Sequence, residues 1–272
     1  MTFKEVIGVE GPVFRIGTLV FEIIYGNIIW LLFGGPAAVL VINLIPIEMN
    51  QVTYVIYLLV MVAALLHMGP ATTAIFSAFG KRQRGEETYT FRDFWHSYKQ
   101  NYKQAIVIAL FSFIFIGVLG YSIFLEIANY SLFGSMLYVV IPVQGFVILE
   151  FLFTMSYIYA LLARFEMSTK NLIKYAFMMS NKHLPTTVVC AVLLLAGGAG
   201  FYFWNMASSM FLFGVSFYIM MMLLERVFRN YMPDEDEEFA AEEVEGFDLS
   251  SEQQAIIDRY TGKIKSEDDK NS

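Results

Sequence analysis

A few polar side chains lie within otherwise apolar sequence, and these residues are the strongest candidates for chemistry. His67 lies fourteen residues before Lys81, and Glu150 lies fourteen residues before Arg164. At about 1.5 Å per helical residue, each would lie ~21 Å from a basic residue at the inner membrane surface. The two side chains could therefore meet near the middle of a membrane, where Asn27 could hydrogen-bond to either of them.

Thr154 falls on the same helix face as Glu150, four residues further along the chain. An ionised group near the bilayer centre costs about 2.5 to 3.5 kcal/mol even on lenient scales, so such groups need a reason to be there. A cluster of Asn27, His67, Glu150 and Thr154 could relay protons, hold a polar solute or fasten helices together. Fastening is the commoner use of such residues, and the sequence leaves all three roles open.

The elements that would position this cluster are apolar helices. The chain is 57% hydrophobic and 16% charged, with a mean hydropathy of +0.56, which is not the composition of a soluble globular protein. A bilayer core about 30 Å thick needs roughly 20 apolar residues per spanning helix. Six runs qualify, and the sequence predicts an all-α, six-helix transmembrane bundle. The runs are Ile16 to Ile45, Val52 to Phe79, Gln104 to Leu125, Met136 to Leu162, Thr186 to Trp204 and Met210 to Arg226.

The distribution of basic residues predicts the orientation of these spans. All eighteen Lys and Arg fall before the first run, between the second and third, between the fourth and fifth, or from the last residue of the sixth run onward. The positive-inside rule then places both termini in the cytoplasm. The predicted organisation is a cytoplasmic segment over 1–15, a transmembrane domain over 16–230 and a tail over 231–272.

Two cytoplasmic connections predict amphipathic interfacial helices, near 90–103 and 168–183. The first carries aromatic residues on one side and basic or polar residues on others, a pattern that suits docking to a partner. The candidate docking residues are Phe91, Arg92, Asp93, Phe94, Trp95, Lys99 and Asn101.

Small residues predict two sites of close helix packing. Ala71, Ala74 and Ala78 recur on one helix face after the helix-disturbing pair Gly69 and Pro70. Small side chains allow membrane helices to approach closely. A second site of this kind is predicted at Ala196 and Gly200.

The tail belongs to a different class of sequence. Residues 233–272 contain fourteen acidic and four basic residues, a net charge of −10. Such a segment has little to bury and repels itself, so we expect most of it to be disordered. It could serve only to solubilise, or Ile256, Ile257 and Tyr260 could fold onto a partner.

Enzymatic and cofactor signatures are missing from the sequence. It contains no HExxH, no GxSxG, no glycine-rich phosphate loop and no paired His or Cys at metal-ligand spacing. We therefore expect no enzyme activity, catalytic residues, cofactor or metal. The basic residues follow the membrane face, and the soluble tail is acidic, so nucleic acid is not an expected partner.

Several segments resemble the YesL-like family of bacterial integral membrane proteins. They are GNIIWLLFGGP, GPATTAIFSAFGKRQRGEE, FRDFWHSYKQNYKQA and ARFEMSTKNLIKYAFMMSNKHLP, within roughly residues 15 to 190. The resemblance implies a multi-pass protein of the bacterial plasma membrane, without an established activity. It also implies a genomic neighbourhood of carbohydrate ABC importers.

Two functions from different classes follow as expectations. The first is an accessory or regulatory component of carbohydrate uptake, whose partners are the lipid bilayer and an ABC importer or another membrane protein. The alternative is a small transporter or channel that moves its own solute past the mid-membrane cluster.

Overall fold

The computed structural model describes residues 11–34, 50–204 and 206–232, and every regular element within them is a helix. The chain divides into two units, residues 1–227 and 228–272. The acidic tail from residue 233 onward lies outside the described residues. The helices are α1 Pro12–Phe33, α2 Gln51–Gln83, α3 Thr90–Ala128, α4 Tyr130–Phe133, α5 Leu137–Arg164, α6 Thr169–Lys182, α7 Leu184–Trp204 and α8 Met206–Arg229, with a 3-10 turn Gly134–Met136 between α4 and α5.

Within the described residues, four apolar segments are long enough to cross a membrane. They are Val13–Phe33, Gln51–Gln83, Thr90–Ala128 and Tyr130–Arg164. Many of their large apolar side chains are exposed, as lipid-facing side chains are, including Leu32, Leu59, Val118 and Phe124. The length and composition of these helices indicate a membrane protein. A further apolar stretch, Leu184–Gly197 in α7, is shorter than these four.

The first helix ends earlier than the sequence predicted. A span from Ile16 to Ile45 was expected, but α1 ends at Phe33, and Gly34 closes it by donating its N–H to the Trp30 carbonyl at 2.7 Å. Glycine weakens a helix, and a proline two residues later disfavours helical backbone before it, so Gly34, Gly35 and Pro36 explain the stop. The remaining predicted residues, 35–45, lie outside the described residues.

The predicted interfacial helix over 90–103 is not a separate element. It forms the first part of α3, which continues without a break to Ala128. No Gly or Pro occurs between Thr90 and Ile116, so nothing in the sequence interrupts the helix. Its first part packs beside α2, where Lys81 reaches Asp93 at 2.9 Å.

The second predicted interfacial helix does form a separate element, α6. It ends at Lys182, and the next residue, His183, leaves helical geometry with φ −113° and ψ 48°, just before Leu184 and Pro185. The helix lies against α5, and Asn181 donates a hydrogen bond to the Glu150 carboxylate of α5 at 2.5 Å. At the start of α7, Thr187 donates to the Tyr157 hydroxyl of α5 at 3.2 Å.

The small-residue face of α2 is buried, as the periodicity predicted. Ala71, Ala74 and Ala78 are at most 3% exposed. A Cβ built on Gly69 would lie 2.8 Å from the Ala105 carbonyl oxygen of α3, so α2 and α3 are in close backbone contact there. Pro70 is buried and lies within the continuous helix.

The second predicted packing site, Ala196 and Gly200, is described only at Ala196. Ala196 is exposed, so it does not pack as expected. Its neighbour Gly197 is buried, and a Cβ there would meet the Phe213 ring of α8 at 3.0 Å. The side-chain environment of Gly200 lies outside the described residues.

Candidate functional site

His67 is held by a residue of α3. Its Nδ1 lies 2.8 Å from the Ala63 carbonyl, and its Nε2 lies 3.3 Å from the Tyr102 hydroxyl. A carbonyl can only accept, so Nδ1 carries the hydrogen, and in the neutral ring Nε2 accepts from Tyr102. The histidine therefore links α2 to the segment that the sequence assigned to the membrane interface.

Glu150 is held by a residue of α6. Its carboxylate accepts from Asn181, and Thr154 donates to the Glu150 backbone carbonyl at 2.9 Å. Glu150 and Thr154 also line a groove of about 660 Å³ between α3, α5 and α6. The lining is mostly apolar, with Phe111, Phe115 and Phe177 among its residues.

Asn27 contacts α8. It is fully buried, and a Cβ added to Gly214 would lie 2.7 Å from the Asn27 Cβ. Nearby, Trp30 packs against Phe213 and Phe217 at ring distances of 5.2 and 5.0 Å. The contacts described for His67, Glu150 and Asn27 reach different helices, namely α3, α6 and α8.

The candidate docking residues divide between two faces of α3. Asp93 and Phe94 are 5% and 0% exposed, so they belong to the interior of the bundle. Phe94 packs against Phe33 of α1 at 5.4 Å between ring centroids. Asn101 is half-buried and donates to Ser97 on its own helix at 3.2 Å. These residues position α3 and do not form an exposed surface.

The remaining docking candidates lie on an exposed face. Phe91, Arg92, Trp95 and Lys99 are all exposed. The Arg92 guanidinium lies 4.2 Å from the centre of the Tyr89 ring, and the Lys99 ammonium lies 4.7 Å from the Trp95 ring. We call these five residues, Tyr89, Phe91, Arg92, Trp95 and Lys99, the aromatic–basic face.

A set of ion pairs joins several of the helices. Arg82 of α2 pairs with Glu22 of α1 at 2.6 Å. The Glu225 carboxylate of α8 lies 3.6 Å from Arg84, the residue that follows α2, and 3.4 Å from Arg164 of α5. The sequence does contain a signal for these ion pairs. Glu22 and Glu225 lie toward the membrane side that is also predicted to carry the basic clusters.

Another polar group, made of Ser122, Glu126 and Gln144, lies near the C-terminal end of α3. Glu126 accepts from Ser122 at 2.9 Å and from Gln144 of α5 at 2.7 Å, and Gln144 also lies 3.2 Å from the Ser122 hydroxyl. Glu126 is 7% exposed. Glu126 falls one residue beyond the predicted span from Gln104 to Leu125, so nothing in the sequence predicted its burial.

Comparisons with known proteins give one family match. The family model described as "Protein of unknown function, DUF624" matches residues 23–123. The match covers the second half of α1, all of α2 and most of α3, including the aromatic–basic face. Searches of curated proteins and of solved structures give no match. Within residues 11–34, 50–204 and 206–232, no group of three or more His, Cys, Asp or Glu is placed to hold a metal ion.

Proposed function

We propose that this chain is a non-enzymatic, multi-pass protein of the bacterial plasma membrane that acts as an accessory or regulatory component of carbohydrate uptake. In this proposal the aromatic–basic face binds a membrane partner of the ABC-importer class. The observation that carries the proposal is the exposure of this face on a helix whose other side is fixed in the bundle.

The aromatic–basic face has the chemistry of an interaction surface. Trp, Tyr, Phe and Arg are enriched in the energetic centres of protein interfaces, because each combines a large contact area with a polar or charged group. Burial of Asp93 and Phe94 on the opposite side holds α3 in place. A partner would therefore meet a preorganised surface and lose less conformational entropy on binding.

The carbohydrate part of the proposal rests on the resemblance to YesL-like proteins. That resemblance implies a neighbourhood of carbohydrate importers and a bacterial plasma membrane. The matched family is described as one of unknown function, so this match supports no particular activity. The partner class is accordingly the part of the proposal that the experiment must establish.

The transport alternative receives less support from the geometry. It requires a polar cavity that contains both His67 and Glu150. Glu150 lies at a mostly apolar groove beside α6, whereas His67 binds Tyr102 between α2 and α3. A second groove, of about 510 Å³, is lined by Leu65, Met68 and other mainly apolar residues of α2, α3 and α5.

Site-specific photocrosslinking in the native membrane tests the proposed docking face. A photoreactive residue at Trp95 should capture one dominant membrane partner. The same residue at Phe124, which is 64% exposed on the same helix, should capture mainly lipid. Reversing charge with Arg92→Glu and Lys99→Glu should abolish capture, whereas Lys174→Glu on α6 is the matched control and should leave it intact.

The physiological half of the proposal needs a separate measurement. A deletion strain should take up its sugar more slowly or with altered regulation, and the wild-type chain should restore uptake. Purification in mild detergent without any stoichiometric partner, together with unchanged uptake in the deletion strain, would refute the accessory role.

The six-span topology is part of the same proposal. Reporters fused after Asn50, Asn129 and Asn205 should all report an extracytoplasmic position, and a reporter after Lys182 should report the cytoplasm. A cytoplasmic signal at Asn205 alone would reduce the bundle to four spans. A cytoplasmic signal at Asn129 would overturn the orientation as a whole.

A further inference from the structure

A buried carboxylate near the end of α3, that of Glu126, has neutral hydrogen-bond donors and no ion pair within the described residues. Within the described residues, Glu126 Oε2 and Gln144 Oε1 are buried and have no hydrogen-bond partner. Glu126 Oε1 already accepts from Ser122 and Gln144. The group thus combines one formal negative charge with unsatisfied oxygen atoms from two helices, a costly arrangement in an apolar environment.

Along α3 and α5, the two helices that supply the group, no basic side chain is close enough to neutralise this charge. Residues 104–163 contain no Lys, Arg or His. The nearest basic residue along α3 is Lys103, 23 residues before Glu126, and along α5 it is Arg164, 20 residues after Gln144. At about 1.5 Å per residue these separations are ~30 Å or more, well beyond the range of an ion pair.

The position of Glu126 on its helix increases the need for positive charge. It lies two residues before Ala128, the last residue of α3. The free carbonyl groups at a helix C-terminus carry a partial negative charge, which favours cations and disfavours carboxylates. Both the side chain and the helix end therefore attract a positive ion to the same place.

We propose that Ser122, Glu126 and Gln144 form a binding site for a monovalent cation of the Na⁺ and K⁺ class. Hard cations prefer carboxylate, amide and hydroxyl oxygens, which are the groups present here. A single carboxylate balances a single positive charge, whereas a divalent ion would leave an excess positive charge in an apolar site. The cation would satisfy oxygens on α3 and α5 together and so link the two helices.

Thermal unfolding of the full chain in detergent tests this site. The midpoint is measured in NaCl or KCl, with ionic strength held constant by choline chloride. A cation that binds only the folded chain should raise the midpoint by roughly 3–5 °C for each tenfold increase above its dissociation constant. Glu126→Gln should remove this response, while Glu150→Gln, which changes another carboxylate that accepts an amide hydrogen bond, should retain it.

Several outcomes would overturn the proposal. They are a midpoint that responds to neither Na⁺ nor K⁺, a response that survives Glu126→Gln, or one that Glu150→Gln removes equally. A midpoint that depends on pH but not on either cation would show that a proton occupies the site instead. If Glu126→Gln does not fold, Ser122→Ala provides the test, since losing one oxygen should shift the cation response to higher concentrations.

Discussion

Helix α3 buries one carboxylate near each end, and the two are neutralised differently. Asp93, in the first turn, is 5% exposed, pairs with Lys81 at 2.9 Å and accepts the Tyr89 N–H at 2.8 Å. Glu126, near the last turn, is 7% exposed and is bound by the neutral groups of Ser122 and Gln144. The burial is nearly equal, but only Asp93 faces a basic side chain.

The position of a buried carboxylate relative to the two ends of its helix therefore affects how its charge can be stabilised. A carboxylate in the first turn is stabilised by the free N–H groups of the helix, and one in the last turn is opposed by the free carbonyls. The basic residues of this chain reinforce the contrast, because they cluster around the start of α3 and are missing from residues 104–163. Asp93 at the first end can therefore form an ion pair, whereas Glu126 at the second end must be stabilised in another way.

The largest effect is expected where one carboxylate faces two arginines. Glu225→Gln removes the charge that lies near Arg84 and Arg164, and leaves two guanidinium groups close together without it. Breaking a buried ion pair in this way should lower the free energy of unfolding by about 3 kcal/mol. Unfolding by SDS in mixed micelles measures the change.

The matched control for this variant is Glu86→Gln. Glu86 also pairs with Arg84, but its side chain is 46% exposed, so the loss should be below about 1 kcal/mol. Equal losses of unfolding free energy for the two variants would show that burial does not determine the strength of these ion pairs. That result would contradict the electrostatic difference between the two ends of α3.

The same chemical change at the two ends of α3 should have unequal effects. Asp93→Asn weakens an ion pair and a helix-start contact, and should cost about 2 kcal/mol. Glu126→Gln, measured without Na⁺ or K⁺, removes an unbalanced charge and should leave stability unchanged or raise it. SDS unfolding of both variants in choline chloride tests the pair, and a larger loss at Glu126 than at Asp93 would contradict the electrostatic account.

Much of the helical architecture could be predicted from apolar periodicity. The predicted span from Met136 to Leu162 corresponds to α5, and the buried stripe of Ala71, Ala74 and Ala78 follows from helical spacing. These features depend on neighbouring residues along one helix, which a sequence records directly. The continuity of α3 also had a signal, the lack of Gly and Pro between Thr90 and Ile116, although its amphipathic start suggested a separate helix.

The partners of polar residues could not be predicted in the same way. His67 and Glu150 were expected at similar depths, but depth along a helix does not determine which helices are neighbours. Their partners, Tyr102 and Asn181, come from the two segments that were assigned to the membrane interface. Glu126 was missed because a carboxylate beside a turn is usually solvated, and its burial depends on Gln144 of another helix.

The smallest effect distinguishes the packing of α3 near its start from that near its end. Gly69→Ala would place a Cβ 2.8 Å from the Ala105 carbonyl, a backbone atom that cannot rotate away. The helices must separate, and we expect a loss of about 1 kcal/mol in SDS unfolding. A Cβ at Gly117, further along α3, meets no atom within 4 Å, so Gly117→Ala should instead stabilise the helix by roughly 0.5–1 kcal/mol. Changes in stability of opposite sign would show that the first part of α3 is in close contact with α2, whereas the part around Gly117 has free space beside it. A loss of stability in both variants would indicate an additional contact at Gly117.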